Sequence, residues 1–267
     1  MSFSNKRVVV TGASSGVGNA TAKMLLSAGA EVIGIDLRDT ADCTTFIKCD
    51  LADPASIDQA VTAIKDPIHC LANVAGVPGS LPADLIFKVN YLGLRRLTEL
   101  LLPKLEDKGA VVNVASTAGA GWRNRKDVSK KILATTGWDE GLDTFHDLAL
   151  DAISTYDFTK ELVILYTQFI SSQERHRGVR VNSISPGAIQ TPILKDFYDT
   201  MGDDLLSTLK RQAGGRDAYP AEIAGALVML LRDDAFWVNG ADLIVDGGAE
   251  VLINLEDMAI PPRQEIA

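Results

Sequence analysis

Along the chain, short unbroken apolar runs alternate with longer stretches in which apolar residues recur every three or four positions. Val8, Val9 and Val10 form the first run, and Asn19 to Ala28 follows as a helix with Ala22, Leu25 and Leu26 on its inner face, stopped by Gly29. Further apolar runs lie at Glu31–Leu37, Thr45–Lys48, Ile68–Gly76, Gly109–Gly119, Arg180–Pro192 (a strand with a Pro/Gly turn) and Asp242–Gly248. Runs without polar alternation suit strands buried on both faces of a parallel sheet. Helical patterns separate them. One starts at the Asp53-Pro54 cap, one carries Phe87, Val89, Leu92, Leu94, Leu97, Leu100, Leu101 and Leu105, and others span Ala152–Ser171 and Ala221–Leu231. Strand and helix alternate throughout, without a repeat, a low-complexity stretch or a linker. The pattern predicts one doubly wound α/β domain over residues 1–267, a parallel sheet of about seven strands with helices on both faces and right-handed crossovers. Two stretches depart from it: a polar, partly helical insertion at about 120–151 and a mixed segment at about 188–218 that reads as a substrate flap.

Composition narrows the function classes. The formal charge is −9 and no block is basic, which argues against a nucleic-acid partner. Cys43, Cys49 and Cys70 are too few and too irregularly spaced for a disulfide framework or a zinc site. His69, His146 and His176 offer no ligand pair, so no metal is expected. The N-terminus lacks an apolar signal core and no apolar run is long enough to span a bilayer, so the expectation is a cytoplasmic protein without a membrane partner.

The chemistry gathers at the ends of the strands. Val8–Val10 runs into Thr11-Gly-Ala-Ser-Ser-Gly-Val-Gly18, and a helix starts at once. Gly12, Gly16 and Gly18 permit a tight turn and close backbone approach, with Ser14, Ser15 and Val17 between them, and the helix aims its free N–H groups at an anion. This reads as a pyrophosphate cradle in a Rossmann domain. Asp36 stands eighteen positions after Gly18, where a carboxylate hydrogen-bonds the ribose hydroxyls of NAD and repels the extra phosphate of NADP. Ser15 lacks a phosphate-pairing charge, while Arg38, beyond Leu37, is the dissenting signal for NADP. Asp50 and Leu51 end a strand on the same edge, as an adenine contact or a plain turn. Asn73, Ala75 and Gly76 end the next one, with the small residues a cofactor lying across the strand ends requires. Asn90 sits in an apolar helix, as a satisfied core amide or as part of a proton path. Ser116 closes the fifth strand, and Tyr156 and Lys160, four apart, share one helix face. Pro186 and Gly187 turn the chain after the sixth strand, ahead of Ile189 and Thr191.

Taken in order from Arg7 to Gly248, these stretches resemble the single-domain short-chain dehydrogenase/reductase family. Thr11–Gly18 is similar to its TGxxxGxG turn, Asn73-Val-Ala-Gly76 to its NNAG element with Val in place of the second Asn, and Asn90, Ser116, Tyr156 and Lys160 to its catalytic tetrad. Pro186-Gly187 with Thr191 is similar to the turn beside the nicotinamide. The resemblance, with the helical spacing, implies that Tyr156 is the acid/base, Lys160 lowers its pKa and holds the nicotinamide ribose, Ser116 binds the substrate oxygen, and Asn90 holds a water leading to solvent. Forty positions separate Ser116 from Tyr156, a longer interval than the family's usual one. With Val32–Asp39 and Val89–Gly93, this resembles the bacterial 3α-hydroxysteroid dehydrogenase/carbonyl reductase group. The implied activity is hydride transfer between NAD(H) and an apolar or aromatic secondary alcohol or ketone, a hydroxysteroid among them, in a homodimer or homotetramer. Trp122, Phe145, Ile189, Ile193, Leu194 and Phe197 are the expected apolar lining. The alternatives are an NADPH-dependent carbonyl or ketoacyl reductase and a non-catalytic dinucleotide-binding sensor.

Overall fold

The computed structural model describes residues 2–65, 67–191, 194 and 203–257. Its centre is a seven-stranded sheet in which every neighbouring pair is parallel. The strands are β1 (Arg7–Thr11), β2 (Glu31–Asp36), β3 (Thr45–Lys48), β4 (Ile68–Asn73), β5 (Leu105–Val114), β6 (Arg180–Pro186) and β7 (Asp242–Val245). Their order is β3-β2-β1-β4-β5-β6-β7. The chain starts mid-sheet, winds to one edge, returns past β1 and winds to the other. The winding therefore reverses between β1 and β4, and the crevice at the carboxyl ends of those strands is where such sheets bind ligands.

Helices cover both faces because both faces of the central strands are apolar. On one side α1 (Gly16–Ser27) and the helix Pro220–Leu231 bury Val17, Ala22, Leu25, Ile223, Leu227 and Leu231 against Val8 and Val10. On the other, α2 (Pro54–Ala63), α3 (Ala83–Phe87), α4 (Leu94–Leu101) and a long helix at Ala152–Glu174 bury Ile57, Phe87, Leu97, Phe158 and Leu162 against Val9 and Leu71. Between α3 and α4 the chain stays helical but widens into a π-helical segment at Lys88–Gly93, which carries Asn90. Leu105 opens β5 instead of closing the preceding helix, as its periodicity suggested; Pro103 ends that helix in a 3-10 turn at Leu102–Lys104.

The insertion is a third layer on the α3–α4 side. A 3-10 helix at Thr117–Asn124 leads to α5 (Lys126–Leu133) and α6 (Trp138–His146), and Asp151 then caps α7 (Ala152–Glu174) through the Ser154 N–H. Arg95 of α4 donates to the Ile132 carbonyl and to Thr135, and Phe145 stacks on Phe87 with centroids 4.1 Å apart. In the predicted flap, a parallel bridge joins Ile189 to Ala218, and α8 spans Asp203–Gln212; 192–193 and 195–202 lie outside the described residues. The helix Pro220–Leu231 is α9, and the stretch after β7 forms α10 (Ala249–Asp257). No described helix is long and apolar enough to cross a membrane.

Candidate active site

The end of β1 and the start of α1 build the anion-binding half of the site. Gly12 and Gly16 have φ of +70° and +53°, a region that side chains disfavour. A Cβ at Gly18 would fall 2.1 Å from the Gly12 carbonyl oxygen, so only glycine permits this turn. The Thr11 hydroxyl accepts the N–H groups of Val74 and Ala75 at 2.9 and 3.0 Å, tying the turn to the end of β4. Ser15 precedes α1 in an extended conformation and makes no side-chain cap bond, and the first turn holds no acidic residue. The helix N-terminus thus meets the cleft with uncapped N–H groups, which suits a pyrophosphate. Asp36, at the end of β2, accepts the Ser14 N–H at 3.0 Å and the Arg38 N–H at 3.2 Å, which fixes its carboxylate at the rim.

A cleft of about 700 Å³ runs from this cradle to the Tyr156 helix. Gly12, Ser15, Gly16, Val17, Gly18, Asp36, Leu37 and Arg38 line one part of it. Asp50, Leu51, Ala75 and Gly76 continue the wall, and Ser116, Tyr156, Lys160, Pro186, Gly187, Ile189 and Thr191 line the rest. The glycine turn and the uncapped helix end fit a dinucleotide, and the Asp36 carboxylate stands on the wall of the same cleft.

At the other end, β5 delivers Ser116 and α7 delivers Tyr156 and Lys160. Ser116 is the N-cap of the 3-10 helix; its Oγ accepts the Ala118 N–H at 3.2 Å and is hydrogen-bonded to the Tyr156 hydroxyl. Burial pushes the phenol above its ordinary pKa, Ser116 pulls it down, and the charge of Asp157 pushes it up. Lys160 is buried and its Nζ donates to the Val114 carbonyl at 3.1 Å, 5.6 Å from the Tyr156 ring centroid. Desolvation lowers its ammonium to about 8.

Three predicted site residues are placed off the wall of the cleft. Ser14 turns its Oγ inward without a partner and contributes its N–H to Asp36. Asn73 donates to Thr98 and Asn113, both at 2.8 Å, and Asn113 donates to Thr167 at 2.9 Å; this buried network ties β4 and β5 to α4 and α7. Asn90 closes its amide on the backbone of Val77, accepting its N–H at 2.8 Å and donating to its carbonyl at 3.0 Å. That leaves Asn90 a second donor and a second acceptor position. It still belongs to the constellation, because a Cβ at Gly76 would sit 3.2 Å from its Oδ1 and 3.7 Å from Lys160 Nζ.

Two expected lining residues are corrected. Phe145 is a core residue stacked on Phe87, and Trp122 packs against the same core with Arg123 and Lys126 over its ring. The insertion folds back onto α3 and α4, so its aromatic residues are used for packing. Leu194 is described but does not line the cleft; Ile193 and Phe197 lie outside the described residues. In their place the wall holds Val77, Pro78, Leu81, Leu85 and Val89, while Ala118 and Ala188, from the stretches Ala118–Trp122 and Gly187–Tyr198 expected to line it, are on the wall. Leu85 and Val89, four apart in one helical run, carried a signal of this kind, whereas Leu81 precedes that run.

Comparison with known proteins places this geometry. A family model described as short chain dehydrogenase matches residues 6–126, and one described as enoyl-(acyl carrier protein) reductase matches 145–250. The coniferyl-alcohol dehydrogenase of Pseudomonas sp. (strain HR199 / DSM 7063) is 37% identical over 93% of this chain and 98% of its own length. The 3-alpha-hydroxysteroid dehydrogenase/carbonyl reductase of Comamonas testosteroni is 27% identical, over 92% and 97%. Among solved structures, the 3-alpha-hydroxysteroid dehydrogenase from Pseudomonas sp. B-0831 complexed with NADH superposes with a TM-score of 0.79 at 28% identity, covering 94% of this chain and 99% of that one. The chain belongs to the short-chain dehydrogenase/reductase family, and is an oxidoreductase of alcohols or ketones that uses a nicotinamide dinucleotide.

Proposed function

We propose that this chain is an NAD-linked dehydrogenase of apolar, aromatic or alicyclic alcohols, working reversibly as a ketone or aldehyde reductase. The observation that carries the reading is the grouping of Ser116, Tyr156 and Lys160 in a cleft whose wall adds Val77, Pro78, Leu81, Leu85 and Val89. That surface offers a sugar few partners and offers a ring good contact. The coniferyl-alcohol and hydroxysteroid relatives, one named for an aromatic and one for an alicyclic alcohol, support it.

Asp36 would hold the adenosine ribose, the N-terminus of α1 the pyrophosphate, and Lys160 the nicotinamide ribose. When bound, the nicotinamide supplies the hydride acceptor or donor, and its oxidised ring adds positive charge beside Tyr156. The chain's own residues manage the proton. Tyr156 takes it from the alcohol hydroxyl, and Ser116 hydrogen-bonds the same oxygen as negative charge develops there. A buried phenol is a poor base, and the Ser116 bond shifts it toward phenolate. Arg38 on the cleft wall favours the rival reading, an NADPH-dependent carbonyl reductase. Asp36 opposes it, because a 2′-phosphate would sit against a carboxylate. For the assembly we assign a homodimer or homotetramer: Phe236 and Trp237 are 71% and 90% exposed, and Ile244 of the edge strand β7 is also exposed.

The test is NADH fluorescence on mixing the enzyme with NAD and a panel of aromatic, cyclic and polyhydroxy alcohols. Turnover of the first two groups is expected, and turnover confined to polyols overturns the substrate class. Tyr156→Phe should lower kcat by about 10²-fold or more while NADH affinity stays nearly unchanged. Retained turnover overturns the acid/base assignment.

A further inference from the structure

Glu161 follows Lys160 on α7, and its side chain is only 3% exposed. A carboxylate so buried requires a partner. Its Oε1 accepts from Arg125 Nη2 at 2.8 Å, and its Oε2 has no hydrogen-bond partner. Arg125 is the joint between the Thr117–Asn124 helix and α5. Its carbonyl accepts both the N–H and the Oγ of Ser129 at 3.0 Å, and its guanidinium lies 5.5 Å from the Phe158 ring centroid.

The 3-10 helix that ends at Arg125 begins at Ser116. Two glycines let it lie directly on α7: a Cβ at Gly119 would come within 2.9 Å of the Lys160 carbonyl oxygen, and one at Gly121 within 2.9 Å of Glu161 Oε1. Ser116 and Arg125 are thus opposite ends of one short element that crosses α7 at Lys160 and Glu161. We propose that the Arg125–Glu161 ion pair is a positioning device, pressing this element onto α7 and so holding the Ser116 hydroxyl within hydrogen-bonding reach of Tyr156. The inference rests on the acid/base reading of Ser116 and Tyr156.

Asp157, also on α7, lies in the field of both members of the pair, and Asp151, the cap of α7, acts on Asp157 in turn. Of the influences on the Tyr156 phenol, the Ser116 bond is the one that favours the phenolate. Letting Ser116 drift would therefore change the ionisation of the base as well as the rate.

The experiment compares Arg125→Met, Arg125→Lys and the double variant Arg125→Met with Glu161→Leu, reading kcat, KM and the pH profile of kcat, with NADH affinity as control. The double variant guards against misfolding, since it removes the buried charge along with its partner. Arg125→Met and the double variant should lose about tenfold or more in kcat. In alcohol oxidation the acidic limb of their profile, where Tyr156 becomes protonated, should move to higher pH by about one unit, with NADH affinity unchanged. Arg125→Lys, which keeps the charge but not the fork, should recover part of both effects. A pH profile that stays in place overturns the proposal, whether kcat is unchanged or merely falls with the folded fraction. The underlying reading fails separately, through an active Tyr156→Phe enzyme.

Discussion

At the residue next to Tyr156, burial and charge give the folded chain a distinct pH signature. Asp157 is half-buried; desolvation raises its carboxyl from 3.8 to about 6, with Arg125 opposing and Glu161 and Asp151 adding to the rise. A carboxyl raised by folding binds its proton more tightly in the native chain than in the unfolded one. Its effect on stability is therefore absent below the unfolded value, grows unfavourable as pH climbs from about 4 to about 6, and stays unfavourable above that. Asp157→Asn should accordingly raise the thermal midpoint near neutral pH, with the gain fading as pH falls to about 4. Calorimetry at both ends of that window checks it, and an equal gain at both would mean that titration is not the cause. The neighbouring positions show why such detail escapes sequence reading. Tyr156 and Lys160 are visible as a pair because four residues make one helical turn. The Arg125–Glu161 pair spans 36 positions and arises only when the insertion folds back.

At the scale of elements, the insertion is held by packing as much as by hydrogen bonds. Phe145 is almost fully buried against Phe87, with ring planes 7° apart. Phe145→Ala removes most of that contact and should cost about 3–5 kcal/mol by urea unfolding, with faster amide exchange in α6. A loss within error would mean that Arg95 and its bonds to Ile132 and Thr135 hold the layer alone. The strands were legible because continuous apolar runs such as Val8–Val10 have one physical explanation, burial on both faces. The insertion was legible as extra material, but its apolar residues are sparse, and an apolar face on α3 says that something covers it without saying what. Asn73 shows the same limit on a smaller scale. Its place at the end of β4 suggested the cofactor, whereas its amide serves Asn113 and Thr98 inside the sheet. Sequence order locates a strand end; only packing decides which way a side chain at that end faces.

At the scale of the whole molecule, the cleft joins parts of the chain that no shorter segment brings together. Asp36 and the glycine turn come from the first forty residues, Ser116 from the middle, Tyr156 and Lys160 from α7, and Pro186 and Gly187 from the far half of the sheet. A dinucleotide lying along the cleft would contact all of them, so its binding free energy would add to the stability of the folded chain. At a hundredfold excess over Kd that amounts to about 2.7 kcal/mol. In a chain of this size the thermal midpoint should then rise by roughly 5–10 °C. The rise should discriminate between cofactors. Asp36 is fixed by the N–H groups of Ser14 and Arg38 and cannot swing clear of a 2′-phosphate without giving up both bonds. NADH should therefore raise the midpoint by several degrees more than NADPH at equal concentration. Asp36→Ala removes both the ribose acceptor and the repulsion, and leaves the Arg38 side chain on the wall as the nearest charge. In that variant the NADH shift should shrink and the NADPH shift grow until the two converge. Equal shifts in the unaltered chain would remove the discrimination assigned to Asp36, and a larger NADPH shift would assign the ribose to Arg38 and favour the reductase reading.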